Sequence, residues 1–397
     1  MGKTPDQNMR QYCTDKQWET LVALAETGSV KAAAEKLGVS RATVQGARAA
    51  ATRKAVNHGY SPDHDLTHPL PDGYKMRGSS TLYDAKTGEA KIQWIKSEID
   101  KERQAEMFRE FVAAMTDDIP GVVPMPGPDY TDDSLLACYP VGDHHLGMLS
   151  WDKETGADYD LKIGEALLAG ATDALMSSMP PCKNALIAFL GDFMHYDSFE
   201  AVTPASRNQL DADSRFPKMV RVAIRAMRNL IERAADKHEH VHVIVEIGNH
   251  DLSSSIFLME CLHNVYENHP RITVDTSPMH YHYYRYGKVL IGTHHGHGSK
   301  MQALPLIMAH DRAKDWGDTE YRHWWTGHIH HSKTQAATSA QDFSGCTVES
   351  FRILAPEDAW ASQKGYRAIS DMKAIVFHRE FGEVARHTVN PKMLGIT

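Results

Sequence analysis

Histidine, aspartate and asparagine recur in the middle of this 397-residue chain in a pattern that could do metal chemistry. In chain order the groups are Asp143-x-His145, Gly191-Asp192, Gly248-Asn249-His250-Asp251, His294-His295-Gly296-His297 and Gly327-His328-x-His330. Carboxylate, amide and imidazole are hard or borderline donors, and no cysteine stands among them. Such a set suits Mn²⁺, Fe²⁺ or Zn²⁺ better than a soft-metal centre. Taken singly, Asp-x-His or Gly-His-x-His is a weak signal. Five of them in order are a specific one, provided that one fold can gather them.

The flanking sequence supplies that condition. Each motif directly follows an apolar, β-rich run, as in Ala-Leu-Ile-Ala-Phe-Leu before Gly191 and Val-Leu-Ile-Gly-Thr before His294. Strands are expected at 135–141, 185–190, 241–247, 272–275, 280–286, 289–293 and 321–326, with helices around 161–178, 207–237, 256–268 and 303–315. Strand-like runs return at 374–378 and 384–389. Alternation of this kind predicts an α/β layered domain. Its crevice lies outside the carboxyl ends of the strands, where all five motifs sit. His238, His240, His242, His280 and His282 alternate along strands, and this spacing predicts one exposed face, not ligands. Trp324 and Trp325 are expected to pack in the core and at its lip.

These motifs resemble those of the calcineurin-like metallophosphoesterases, over roughly residues 135–335. The resemblance implies an αββα double β-sandwich holding two divalent metal ions, Mn²⁺ first among them. It implies that Asp143, His145 and His330 hold one metal and that Asp192 bridges both. Asn249, His328 and one histidine of the 294–297 cluster would hold the second. His295 is preferred there, because the family's ligand usually precedes a glycine just after the strand. His294 is the alternative ligand, and His297 and His195 are candidates to face a substrate phosphate. The implied chemistry is attack of a metal-bound hydroxide on phosphorus. His250 would assist the leaving group. Asp251 would orient a histidine. Gly191-Asp192-Phe193-x-His195 with Gly248-Asn249-His250-Asp251 is similar to the Mre11/SbcD-type nucleases in motif style. It lacks the Gly-Asp-x-x-Asp-Arg-Gly and Gly-Asn-His-Glu of the protein phosphatases.

A second signal lies near the N-terminus. Asp15 can cap a helix reaching about residue 26. Ser29 caps a second helix over 30–37, and Ser40 caps a third from 41 to about 56. Gly38 between them gives a helix-turn-helix pattern, with Ala33 and Ala34 at the crossing and Leu37, Val39 and Val44 closing a small core. Strands at 74–83 and 90–96, joined by a turn at 84–88, would add a wing. The segment resembles winged helix-turn-helix domains. Lys31, Lys36, Arg41, Arg48, Arg53 and Lys54 face only Glu35 here, in a chain of net charge −8. That local excess is the footprint of phosphate-backbone contact. Ser40, Arg41, Thr43, Gln45 and Arg48 occupy the recognition-helix positions that would meet DNA. An oligomerisation unit is the plainer use of such a trihelical fold.

The expected organisation is therefore a helix-turn-helix/winged-helix-like domain over 1–96 and a charged helix and linker over 97–134. The metallophosphoesterase domain follows over 135–397. Lys and Arg in 96–103 are balanced by acids, which predicts a solvated helix face. The expected function is a metal-dependent phosphodiesterase acting on DNA as a nuclease. The alternative is a DNA-binding regulator whose phosphoesterase domain hydrolyses a small cyclic nucleotide or acts as a sensor. Five scattered cysteines read as reduced thiols of a cytoplasmic protein. No apolar run reaches membrane-spanning length, and a homo-oligomer is compatible with the composition.

Overall fold

The computed structural model describes residues 5–61, 66–67, 70, 74–83, 90–100, 102, 106, 109, 126–204, 207–328, 340–365 and 369–396. The chain divides into two compact units, residues 1–109 and 110–397.

In the first unit a 3₁₀ helix, Gln7–Tyr12, precedes three α-helices, α1 (Asp15–Thr27), α2 (Val30–Leu37) and α3 (Arg41–Asn57). Their starts are set by side-chain caps. Thr14, not Asp15, caps α1, and it forms a reciprocal capping box with Gln17. Ser29 caps α2 and Ser40 caps α3 as expected. Gly28 and Gly38 end the first two helices in the left-handed conformation that glycine adopts without a Cβ penalty. Ala33, Ala34 and Val44 are fully or nearly fully buried in a small core with Ala23. Val39 is exposed instead, because it sits in the turn.

Tyr60–Ser61 (β1) pairs antiparallel with Leu66–Thr67 (β2). Tyr74–Tyr83 (β3) and Ala90–Ile99 (β4) form an antiparallel hairpin, whose expected turn at 84–88 lies outside the described residues. Strand β4 thus runs through positions assigned to the charged helix. Lys96 and Glu98 are exposed strand residues, and Glu98 pairs with Lys75 of β3 at 3.5 Å. Glu102, Glu106 and Arg109 are helical. The rest of that helix and the linker as far as 125 lie outside the described residues.

The second unit is mixed α/β. Strands β5 (Asp132–Val141), β6 (Cys182–Phe189), β7 (His240–Val245), β8 (Ile272–Val274), β14 (Met372–His378) and β15 (Gly382–Val389) form one sheet. Its order is β15-β14-β5-β6-β7-β8, and β5, β6, β7 and β8 run parallel. Strands β9 (His282–Tyr286), β10 (Val289–His294), β11 (Tyr321–Thr326), β12 (Ala340–Phe343) and β13 (Cys346–Ser350) form a second, ordered β12-β13-β11-β10-β9. Within it β10, β11 and β13 are parallel.

Alternate side chains divide the core into layers. Leu136, Cys138, Leu186 and Ala188 from the six-stranded sheet pack with Val289, Ile291 and Trp325 from the five-stranded one. The opposite face of the larger sheet, including Ala137, Tyr139, Ile187 and Val243, packs on helices α4 (Leu161–Ser178), α5 (Phe216–Lys237) and α6 (Leu252–Tyr266). The outer face of the smaller sheet, with Leu290 and Trp324, packs on Leu304 and Met308 of α7 (Leu304–Asp311).

Some boundaries differ from expectation for local reasons. Helix α5 starts at Phe216, not near 207, because Pro217 belongs to a first turn. Helix α6 starts at Leu252, where Asp197 accepts the backbone N–H groups of Ser253 and Ser254, both at 2.8 Å. The helix expected over 303–315 is two, α7 and Ala313–Asp318, broken at Arg312. Among the described residues no helix is long and apolar enough to cross a membrane.

Candidate metal centre

Parallel strands deliver the motifs to common edges. Asp143, Asp192 and Asn249 follow β5, β6 and β7. The 294–297 cluster follows β10, and His328 follows β11. The turns are too tight for an ordinary backbone. His145, Asp192 and His328 have φ of 47°, 49° and 63°, in the left-handed region that non-glycine residues seldom enter. Such strain costs of order 1–3 kcal/mol per residue and persists only where the surroundings impose it. Here three motif turns bond to other motif turns. The His145 N–H donates to Asp192 O at 3.0 Å. The Asp192 N–H donates to Asp251 Oδ1 at 3.1 Å. The His328 N–H donates to both Asp143 carboxylate oxygens at 3.0 and 2.8 Å.

Two glycines are required by close approach. A Cβ on Gly248 would lie 2.1 Å from Asp192 Oδ1, and one on Gly327 would lie 2.1 Å from Asp143 Oδ1. Real Cβ atoms do not approach so near, so both carboxylates fill space that only glycine leaves open.

The donors converge on Asp192. Its carboxylate is buried and accepts the His250 N–H at Oδ1, at 2.7 Å. Its Oδ2 lies 3.2 Å from His295 Nε2. His295 Nε2 is also 3.0 Å from Asn249 Oδ1, and His295 Nδ1 is 3.8 Å from Asp143 Oδ1. At its other nitrogen, His295 donates its Nδ1–H to the Leu190 carbonyl at 2.7 Å. A carbonyl can only accept, so this bond fixes the tautomer and leaves Nε2 as the ligand atom. Metal-bound histidines are oriented in the same way. Two groups have spacings suited to an ion here, Asp143 with His145 and Asp192, and Asp192 with His295 and His328.

The electrostatics follow from this crowding. Burial alone would push the Asp192 carboxyl up, but His295, His250 and His145 hold it below the ordinary range. Burial would likewise lower His295, yet Asp192 and Asp143 raise it. A proton on His295 and a bound cation answer the same need, positive charge between two buried carboxylates. The residues present therefore fit a divalent metal. Asp251 serves differently from expectation. Its carboxylate accepts the backbone N–H groups of Asp192 and Met194 at 3.1 and 3.0 Å, and so holds the Asp192 turn instead of orienting a histidine. Burial and the neighbouring Asp192 push its carboxyl up to about 7.

The remaining candidates are placed as follows. His294 ends β10 and faces outward, stacked on Tyr281 with ring centroids 4.8 Å apart. Its Nδ1 accepts the Gly296 N–H at 2.9 Å, and burial pushes it down to about 4. His295, one residue on, is the member turned to the carboxylates. His297 stacks beside His294 and stands 5.2 Å from the His295 ring, centroid to centroid. His250 donates its Nδ1–H to the His195 carbonyl at 2.9 Å. His195 Nδ1 lies 3.3 Å from His145 Nδ1. His330 lies outside the described residues.

Of the histidines expected on an exposed face, His240 and His280 are exposed, His242 is half-buried, and His238 and His282 are buried. His242 and His282 alternate with Ile244 and Tyr284, so they share the inter-sheet face, and His282 pairs with Asp275 at 3.0 Å. His238 is fully buried, bonded to the Tyr139 hydroxyl and the Cys182 carbonyl. For His242 and His282 the alternation is as read, but the opposite sheet covers that face, whereas His238 lies on the helix side with Tyr139 and Cys182. Sequence reading also passed over Glu246, a fully buried carboxyl that accepts the Thr293 hydroxyl and is pushed up to about 7 by burial. Its signal was an acid inside an otherwise apolar strand run. Trp324 and Trp325 are both buried.

No protein-family model and no curated protein matches this sequence. Among solved structures, the chain is similar to a "putative 5'-nucleotidase" from Staphylococcus aureus, in complex with alpha-ketoglutarate. Identity is 11% and the TM-score 0.29, and the match covers 65% of this chain and 54% of that one. Nothing about the fold or chemistry of this chain rests on that likeness. What it presents by itself is a mixed α/β unit with buried aspartate and histidine clusters of metal-binding spacing.

Proposed function

We propose that the second unit is a two-metal phosphoesterase of the calcineurin-like type and that its substrate is DNA. The observation that carries the metal reading is His295. Its Nδ1–H is anchored on a carbonyl, and its Nε2 meets Asp192 and Asn249 oxygens within 3.2 Å. The helix, sheet, sheet and helix layering supports the αββα reading. Asp143, His145, Asp192 and, by family likeness, His330 would hold one ion. Asp192, Asn249, His295 and His328 would hold the other. When bound, divalent ions such as Mn²⁺ would supply a nucleophile at neutral pH and neutralise charge on the phosphoryl oxygens.

The side chains around these donors have separate tasks. The bond from His250 Nδ1 to the His195 carbonyl fixes the ring and leaves Nε2 to give a proton to the departing alkoxide. Asp251 keeps the Asp192 turn in its left-handed form. His195 and His297, when protonated, offer positive charge to phosphate. In the first unit, Arg41, Gln45 and Arg48 are exposed on α3. The Ser40 and Thr43 hydroxyls bond to each other at 2.8 Å and Ser40 caps the helix, so the longer side chains carry the DNA reading.

The test is hydrolysis of linear and circular DNA with Mn²⁺, beside Asp192→Asn. The wild type should degrade DNA, and the variant should lose at least the ~10²–10³-fold typical of deleting one transition-state contact. Cleavage of aryl phosphodiesters with DNA left intact would reject the DNA substrate. No hydrolysis of any phosphoester with Mn²⁺, Fe²⁺ or Zn²⁺ would reject the phosphoesterase.

A further inference from the structure

A third group of donors stands beside the two acidic ones and contains no carboxylate. His145, His195 and His250 each offer one ligand nitrogen, and these atoms all lie within 4.8 Å of one another. They come from three different turns, after β5, β6 and β7. His145 Nδ1 and His195 Nδ1 are 3.3 Å apart. The ring centroids are 5.2 Å apart for His145 and His195, 4.8 Å for His145 and His250, and 5.6 Å for His195 and His250. Imidazoles ~2.05 Å from a tetrahedral ion hold their nitrogens about 3.3 Å apart and their centroids about 5 Å apart. The His145–His195 nitrogen separation and the three centroid separations agree with those figures. The outer partner is present too, since His250 donates its Nδ1–H to the His195 carbonyl and keeps Nε2 as its ligand atom.

We propose that His145, His195 and His250 form a zinc-selective tri-histidine site that competes with the carboxylate centre for His145. Three neutral imidazoles favour Zn²⁺ over Mn²⁺, whereas Asp143 and Asp192 favour the harder ion. His145 belongs to both groups, so filling the tri-histidine site draws it from the acidic one. It also engages His250, the proton donor proposed above. Zinc is thereby an inhibitor of a manganese-loaded enzyme. The site itself rests only on the histidine geometry, whereas the inhibition rests on the phosphoesterase reading.

The experiment uses the full chain, stripped of metal by chelator and titrated with Co²⁺ as a visible probe of tetrahedral nitrogen coordination. One equivalent should produce an intense visible band. His195→Gln and, separately, His250→Gln should each abolish it, with circular dichroism confirming the fold, while Asp192→Asn keeps it. Zinc affinity in the histidine variants should fall by at least the ~100-fold that losing an outer partner can cost. Zn²⁺ added to the Mn²⁺-loaded wild type should release free Mn²⁺, seen by electron paramagnetic resonance, and at one equivalent should release several-fold less from His195→Gln, where only direct exchange at the carboxylate centre remains. A band that survives both histidine variants, or one lost only in Asp192→Asn, overturns the site. Cobalt binding that tracks His195 and His250 in a protein hydrolysing no phosphoester would keep this site and reject the enzymatic reading.

Discussion

The two sheets of the second unit contribute different chemistry to the same edge. The six-stranded sheet delivers Asp143, His145, Asp192 and Asn249, which include all the carboxylates among these donors. The five-stranded sheet delivers His295 and His328, which are imidazoles. The larger sheet thus concentrates negative charge in a buried place, a costly arrangement by itself. The smaller sheet brings groups that carry a proton or share a metal, and so offsets it. Neither sheet alone makes the centre, and the layer packed between them sets the register of donors to within hydrogen-bond distance.

That division can be attacked at three points. The largest effect should come from Trp325→Ala. Trp325 is fully buried between the sheets, packing on Phe351 with ring centroids 5.7 Å apart. Its loss should cost about 3–5 kcal/mol in urea unfolding. Metal affinity should fall as well, because His295 and Asp192 come from opposite layers. Unchanged metal affinity in a destabilised variant would mean that the edge holds itself together without the interlayer packing.

Next is Glu246, which spans the layers through Thr293. Burial raises its carboxyl from 4.5 to about 7. The folded state therefore binds the proton more tightly than the unfolded chain does. Its contribution is full below about pH 4.5 and is lost as pH rises through 7. At about 1.4 kcal/mol per pH unit the total is of the order of 3 kcal/mol. Chemical unfolding of metal-free protein across this window should show a decline that Glu246→Gln reduces. Identical pH profiles would remove Glu246 as the source.

The smallest effects in stability should be Gly248→Ala and Gly327→Ala, each about 1–3 kcal/mol from forced displacement. They sharpen the comparison because they act from opposite sheets. Gly248→Ala pushes on Asp192, which belongs to both acidic groups, and should remove both metal equivalents. Gly327→Ala pushes on Asp143 and should remove one. Elemental analysis of the purified variants reads the difference, and equal losses would contradict separate roles for the two carboxylates.

Much of the edge was legible in sequence because ligand types sit directly after apolar runs, with glycine in the turns. The cap residues Ser29 and Ser40 were legible for a similar local reason. What escaped depended on layers. Period-two alternation puts His242 and His282 each on one face of its own strand, but does not show that the opposite sheet covers that face. Choosing between His294 and His295 needs the residue at which β10 ends, and a shift of one exchanges outward for inward. Glu246 read as one more strand residue, although its place as an acid in an otherwise apolar run marked it. Ser97, Glu98 and Ile99 begin a charged stretch that reads as a helix surface, yet their pairing with β3 decides their conformation.

The left-handed turns at His145, Asp192 and His328 have one more consequence. Each spends its amide on another motif, on a backbone carbonyl at His145 and on a buried carboxylate at Asp192 and His328, so four of the five segments are laced together before any ion arrives. A metal site copied from this chain as side chains alone, onto a scaffold with ordinary turns, would inherit the donors without the knot that aims them. The transplantable unit is the laced set of turns, glycines included, and the identity of the strands beneath is comparatively free.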